Sequence, residues 1–389
     1  MACPYDAQRE GRRMMLKDKY CIAGVATTQF GRVPGVTALN FTVQAAKLAV
    51  EDAGLQKEEI DAVLCKYPPT GFESLWAHKV SQALGVQPKI AATIDQAGAT
   101  NIGLVQYAMM AIDAGLITTA VCCYGDNPLS GPPGTYGRPR GSDAAFGLFG
   151  APSGYAMIAQ RHMIEYGTTS QQLGAVAVAT RGWASLNPNA HKREPITIED
   201  HQNSRYVAYP LRLLDCCLVS DGGAAVVVTS AERARLLRKP PIYIMGVGQH
   251  HIAWEVSQRP TLTTSGAKIS GEMAFKMAGI TPHDVDVCEL YDCFTIVPII
   301  TLEDYGFCAK GEGGPFVEDG RTGPGGSLPT NTSGGLHSES GMAGMQLIVE
   351  AVRQLRNECG ERQVKGAEIA MVSGQGGIMH THATLILRR

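Results

Sequence analysis

A segment of this chain occurs twice, and no other feature constrains the fold as tightly. Residues 49–65 read AVEDAGLQKEEIDAVLC, and residues 274–290 read AFKMAGITPHDVDVCEL. Adding 225 to the residue number carries Ala49, Ala53, Gly54 and Asp61 onto Ala274, Ala278, Gly279 and Asp286. Leu55 and Ile60 fall on Ile280 and Val285 in the same register. Each copy reads as an amphipathic helix stopped by glycine, then a loop and a strand entered at an aspartate. Around the first copy, apolar runs at Cys21–Ala26, Ala62–Cys65, Ile90–Ile94 and Thr118–Tyr124 alternate with helical patterns at Leu39–Ala53, Leu75–Leu84 and Ile102–Ala114. Strands alternating with helices of that length predict βαβ units and a parallel sheet. The expected architecture is two equivalent halves whose sheets pack around shared helices. Residues 1–20 then form an N-terminal extension, 21–240 the first half with a loop insertion at 125–215, and 241–389 the second half.

Composition narrows the class further. The 389 residues carry 34 basic and 36 acidic side chains, which argues against a nucleic-acid footprint. Only 18% are charged, against the ~25% usual for soluble chains, so a subunit interface is expected. The eleven cysteines show no CxxC spacing and no metal-binding pattern, as in a reduced, cytoplasmic protein. The first twenty residues are charged throughout, unlike a secretory signal, and no apolar run reaches the ~18–20 residues of a membrane span.

Several motifs then appear in order: GAPSGYAM at Gly150–Met157, PLRLLDCCLVSDGGAAVVV at Pro210–Val228, ELYDCFT at Glu289–Thr295, NTSGGL at Asn331–Leu336 and GQGGIMHTHATLIL near the C-terminus. With the duplication, they make the chain resemble the thiolase superfamily, in particular the sterol-carrier-protein-type branch with its lipid-transfer and aldolase members. The resemblance implies a thiolase fold, two duplicated βαβ halves in a layered α-β-α-β-α sandwich. It also implies a CoA thioester as substrate, no bound cofactor or metal, a homodimer, and a possible small OB-fold, zinc-containing partner protein.

The resemblance also says which residues to inspect. A thiolase needs a nucleophilic cysteine at a helix start, a histidine to activate it, and a second cysteine as acid/base. Here those positions fall on Gly98, Gly341 and Ser373, so all three are vacant. The backbone N–H groups of Gly98, Gly376 and Gly377 match the oxyanion-hole positions, and Asn331 matches the family asparagine beside the substrate pocket. Tyr291 resembles the tyrosine of thiolase-like aldolases, which cleave β-hydroxyacyl-CoA thioesters without a cysteine. The second tyrosine of those aldolases is matched by Gly341, with His337 four residues away as a candidate substitute. His382, expected on the same strand face as His380, is the other candidate. Asp292 and the strand cysteines Cys288 and Cys293 read as structural. Arg138 and Arg140 could meet CoA phosphates, and Gly311–Gly326 reads as a surface excursion over the site mouth.

Three functional readings follow. One is retro-aldol C–C cleavage with Tyr291 as acid/base; the second is acyl transfer through a nonstandard cysteine. The third is a non-catalytic acyl-CoA- or lipid-binding or scaffold subunit.

Overall fold

The structure, a computed structural model, describes residues 16–71, 73–132 and 141–389. Most of the N-terminal extension, and both Arg138 and Arg140, lie outside the described residues. The first half runs β1 (Tyr20–Thr27), α1 (Ala38–Ala53), β2 (Ala62–Lys66), α2 (Trp76–Leu84), β3 (Ile90–Ile94), α3 (Thr100–Asp113) and β4 (Thr119–Asp126). Helices α4 (Ala151–Tyr166) and α5 (Ser170–Ser185) follow, then a small hairpin of β5 (Tyr206–Ala208) and β6 (Leu211–Arg212), and β7 (Gly222–Ser230). The second half comprises β8 (Ile242–His251), α6 (Ala267–Ala278), β9 (Val287–Glu289), α7 (Ile296–Tyr305), α8 (Met345–Leu355), β10 (Ile369–Gly376) and β11 (Thr381–Arg388).

The two copies of the repeat fold alike. Helices α1 and α6 both end on a left-handed glycine, Gly54 and Gly279, and each is followed by one 3₁₀ turn, Lys57–Glu59 and Pro282–Asp284. The paired aspartates do the same work. Asp61 accepts the backbone N–H groups of Thr118 and Thr119 at the mouth of β4, and Asp286 those of Glu368 and Ile369 at the mouth of β10. The strand-to-helix contact is also duplicated, because a Cβ on Gly24 in β1 would overlap the Ala49 carbonyl and one on Gly246 in β8 the Ala274 carbonyl. Glycine in a strand interior here marks the close approach of a helix backbone.

Hydrogen bonding joins the halves into one nine-stranded sheet, ordered β3-β2-β4-β7-β1-β8-β11-β10-β9. The seam is narrow: β1 and β8 share only the register pairs Cys21↔Tyr243 and Ile22↔Ile242. Thus the two expected sheets are continuous, and the sheet is mixed rather than parallel as expected: β2 pairs in parallel with β3 and β4, and β9 with β10, whereas β4-β7, β7-β1, β1-β8, β8-β11 and β11-β10 are antiparallel. In the second half an isolated parallel bridge, Cys288↔Thr330, stands where β3 pairs with β2 in the first.

Side-chain alternation sorts the sheet's two faces into layers. Ile22, Leu64, Val226, Val372 and Leu385 enter a central core shared with α3 and α8. The opposite face of the first half, with Val63 and Val227, is covered by α1 and α2. That of the second, with Met371 and Ile386, is covered by α4, α5, α6 and α7. The Gly311–Gly326 stretch departs from its reading as a surface excursion. It contains a short helix, Gly313–Glu318, with Val317 buried in the α5–α7 layer. Its glycines allow this, since a Cβ on Gly313 would press on Ile299 and Glu303 of α7 and one on Gly314 would overlap Gln172 of α5.

Candidate active site

Four backbone segments converge where the vacated positions lie: residues 97–101 entering α3, 290–293 after β9, 341–344 before α8, and 373–377 ending β10. The first is a 3₁₀ turn, Ala97–Ala99, that runs straight into α3. Ala97 sits at φ +49, a conformation costly for a residue with a Cβ, and is held there by Asp95 Oδ1, which accepts its N–H at 2.9 Å. This turn presents backbone donors at a helix start, where the dipole favours negative charge.

Gly98 is the centre of the arrangement. A Cβ at that position would overlap both the Gln375 carbonyl and the Tyr291 phenol. The tyrosine hydroxyl therefore occupies the room that a cysteine side chain would need. On its other side the ring lies against Gly344, where φ is +90 and a Cβ would stand 3.1 Å from Tyr291 Cδ2 and Cε2. Tyr291 is half-buried between two glycines. Its backbone N–H donates to Ser373 Oγ at 2.9 Å, so this serine anchors the tyrosine's main chain.

Gly341 admits no side chain. A Cβ there would collide with the Leu218 carbonyl, and the Gly341 N–H donates to Ser220 Oγ at 3.2 Å. Gly376 interlocks with the 97–99 turn in the same way, since a Cβ would strike the Gln96 carbonyl. Gly377 follows at φ +65, turning the chain back toward β11.

Asn331 lies below this group. It is buried, at φ +55, and its Oδ1 accepts the Leu290 N–H at 2.6 Å, which fixes the end of β9 just before Tyr291. His337 sits behind it, in a π-turn at Gly335–Glu339. Its Nδ1 meets Asp292 Oδ2 at 3.0 Å and its Nε2 meets the Asp215 carbonyl at 3.0 Å. Asp292 also accepts the Leu336 N–H at 2.7 Å. Both ring nitrogens of His337 are thus engaged: Nδ1 ties the 335–339 turn to the segment that carries Tyr291, and Nε2 ties it to the 213–215 turn.

His382 and His380 do not share a strand face. His380 lies in the turn before β11, with its N–H on the Gly376 carbonyl at 3.0 Å, so strand alternation does not reach it. His382 is fully buried with Nε2 3.0 Å from the Tyr305 hydroxyl of α7, and burial drives its pKa down to about 3. It is a neutral imidazole in the outer layer.

The cysteines near Tyr291 are protonated thiols. Burial pushes Cys293 up to about 12, and Cys216 likewise, while Cys288 and Cys217 are raised well above the usual range by the same cause. No group of three or more His, Cys, Asp or Glu residues among those described could hold a metal ion.

Two side chains missed by sequence reasoning stand in this neighbourhood. Gln375 and Tyr155 are both buried and bonded to each other. Their signal was present in the GAPSGYAM and GQGG motifs, but nothing in the sequence joins motifs 220 residues apart.

Comparison with known proteins identifies the family. Residues 248–389 match the thiolase C-terminal domain-like family. A steroid side-chain-cleaving aldolase of Thermomonospora curvata is 36% identical over 374 residues, covering 91% of this chain and 95% of the relative. An acetyl-CoA acetyltransferase of Methanothermobacter thermautotrophicus is 36% identical over 378 residues, covering 95% and 99%. The solved Ltp2-ChsH2(DUF35) aldolase superposes with a TM-score of 0.88 at 35% identity, covering 96% of this chain and 98% of the other. A duplicated layered fold, glycine turns meeting at a helix start, and full-length relatives of both kinds lead to one conclusion: the chain belongs to the thiolase superfamily.

Proposed function

We propose that this protein cleaves the Cα–Cβ bond of a β-hydroxyacyl-CoA thioester by a retro-aldol reaction that uses no cysteine. One observation carries the reading: the Tyr291 phenol fills the space above Gly98, beside the backbone turns that would receive a thioester oxygen. Acting in its phenolate form, Tyr291 takes the proton of the β-hydroxyl as that oxygen becomes a carbonyl, and the phenol so formed holds the proton that Cα receives. The Cα–Cβ bond breaks, its electron pair passes into the thioester as an enolate, and a proton then returns to Cα. Enolate charge falls on the N–H groups of Gly98 and of the Gly376–Gly377 turn, and loss of one such donor typically costs about 10²–10³ in rate. The cysteine-independent route is favoured because Cys293, 3.5 Å from Gln375 Oε1, is held protonated and hydrogen-bonded. Names of similar proteins support the same chemistry, since both the Thermomonospora protein and the solved relative are called aldolases.

Asn331 and His337 act as supports in this reading, and His382 as a structural imidazole. The CoA thioester is the substrate, with no further cofactor required. Low charge content supports a homodimer, and the double name of the solved relative supports an accessory subunit, for which the small OB-fold, zinc-containing type is our candidate. No helix among the described residues is long and apolar enough to cross a membrane, and a cytoplasmic setting suits a CoA-dependent reaction.

The test is to supply β-hydroxyacyl-CoAs of increasing size, including steroidal ones, and to look for a released ketone or aldehyde together with a shortened acyl-CoA. Replacing Tyr291 by Phe should lower turnover by about 10²-fold or more, the usual contribution of a general acid–base group. Unchanged turnover in Tyr291→Phe, or a stable acyl adduct on a cysteine after incubation with acetyl-CoA, would overturn the assignment.

A further inference from the structure

Helix α4 begins with the GAPSGYAM motif, to which the reaction as described gives no role. The structure docks its first turns on the end of β10. Gly154 faces Ile378, whose side chain takes the room a Cβ would fill, and the next residue, Tyr155, reaches the glycine turn itself. Tyr155 Oη lies 2.9 Å from the Gly377 carbonyl, 2.6 Å from Gln375 Nε2 and 2.8 Å from Gln375 Oε1. Gln375 Oε1 also lies 3.5 Å from Cys293 Sγ, and Gln375 Nε2 is 3.3–3.4 Å from the Gly377 and Gly376 carbonyls.

One allocation of protons runs through all of these groups, leaving only the 2.8 Å approach of Tyr155 Oη to Gln375 Oε1 without a proton of its own. A phenol has one proton and an amide nitrogen two. The Cys293 thiol donates to Gln375 Oε1, Gln375 Nε2 donates to the Tyr155 oxygen, and Tyr155 donates to the Gly377 carbonyl. Burial, with a further contribution from Cys293, raises the Tyr155 pKa well above its ordinary value, so the phenol keeps the proton this chain needs. The Tyr155 ring is separately anchored, stacked on Phe294 with centroids 4.4 Å apart. A buried tyrosine and glutamine would be costly without this mutual pairing, and leucine and phenylalanine would fill the space as well.

We infer that Tyr155 and Gln375 are positioning residues for the cleavage: their bonded side chains hold the Gly376–Gly377 turn so that its N–H groups face the thioester oxygen. A peptide unit is planar, so fixing a carbonyl on one side sets the direction of the N–H on the other. The Gly376 carbonyl is held by His380 N–H at 3.0 Å and approached by Gln375 Nε2. The adjoining Gly377 N–H is thereby directed away from both. Gln375 contributes from its main chain too, because its carbonyl packs on Gly98, the other donor segment. A single residue thus links the two halves of the enolate site. The inference rests on the retro-aldol reading.

Tyr155→Phe keeps the stacked ring and removes only the hydroxyl. Two readouts are compared with wild type: steady-state cleavage of whichever β-hydroxyacyl-CoA is turned over, and exchange of the α-protons of acetyl-CoA and propionyl-CoA in deuterated water, which reports enolate formation directly. The expected result is a fall of about tenfold or more in kcat and in the exchange rate, with KM within about twofold, because loosened positioning costs transition-state and not ground-state binding. Cys293→Ser, which keeps a donor toward Gln375, should stay near wild type, whereas Cys293→Ala should lose several-fold. A Tyr155→Phe enzyme with wild-type kcat and exchange refutes the positioning role and leaves the retro-aldol reading standing. A loss that merely tracks the fraction of folded protein, by thermal unfolding, also refutes it. A wild-type enzyme that neither cleaves nor exchanges removes the retro-aldol reading and this inference with it.

Discussion

Glycine at positions 98 and 341 is a steric requirement of this site. Restoring the cysteine at 98 would force its Cβ into the Gln375 carbonyl and the Tyr291 phenol. Gly98→Cys should therefore lose cleavage activity without gaining acyl transfer, and lose about 1–3 kcal/mol of stability, the usual cost of overpacking. Acyl transfer from acetyl-CoA and thermal unfolding check both outcomes. Gly341→His is harsher still, because the Leu218 carbonyl lies where its Cβ would go. Ser373, by contrast, is useful as a serine, since its hydroxyl holds the Tyr291 backbone. At 98 and 341 a neighbouring group thus fills the space a side chain would need, and at 373 the side chain itself is used. Only the packing shows what fills the space at these glycines.

At the level of elements, the duplication makes a paired prediction. Asp61 and Asp286 each clamp two successive N–H groups at the mouth of a strand. Asp61→Ala and Asp286→Ala should each cost about 1–2 kcal/mol, the net value of hydrogen bonds to a charged acceptor at a partly exposed site. Chemical denaturation of the two variants measures this, and very unequal losses would contradict the equivalence. The turn before α8 makes a different prediction, about pH. Its Glu339 is buried, accepts from Ser333 Oγ at 2.7 Å, and has its pKa raised to about 8 by burial and by the nearby Glu350. Glu350 is itself paired with Arg362 at 2.8–2.9 Å, which leaves Glu339 without a cation of its own in that pairing. A folded-state value above the unfolded one means the stabilisation is full below about pH 4.5 and is lost as pH rises through about 8. Melting temperature should fall between pH 5.5 and 8 in the wild type and fall less in Glu339→Gln; equal slopes would exclude Glu339 as the source.

For the whole molecule, the halves meet through a central core and a two-pair seam, and the site forms from loops of both halves over that core. Residues 97–101 come from the first half and 291–377 from the second, so neither half alone carries a complete site. The edge strand β3 is only partly buried, which, with the low charge content, makes it our candidate for subunit pairing. Light scattering should give about twice the 41.4 kDa of the chain, and a monomer at high concentration would refute the dimer. Strand and helix order in the first half and the duplication were legible in the sequence because they are local: periodicity, glycine stops and short motifs need only neighbouring residues. Helix α5 and the short helix within Gly311–Gly326 were not read, since Gly174 and Gly182 interrupt the one and glycines and proline the other. His380 and His382 looked equivalent until the turn before β11 separated them. What the linear sequence determined is the duplicated helix–glycine–strand plan of the two halves. Tertiary structure alone decided that Tyr291 stands over Gly98, and that Tyr155, Gln375 and Cys293 share one hydrogen-bonded chain. Those contacts join residues scores to hundreds of positions apart, and close packing, which no local pattern records, is what brings them within bonding distance.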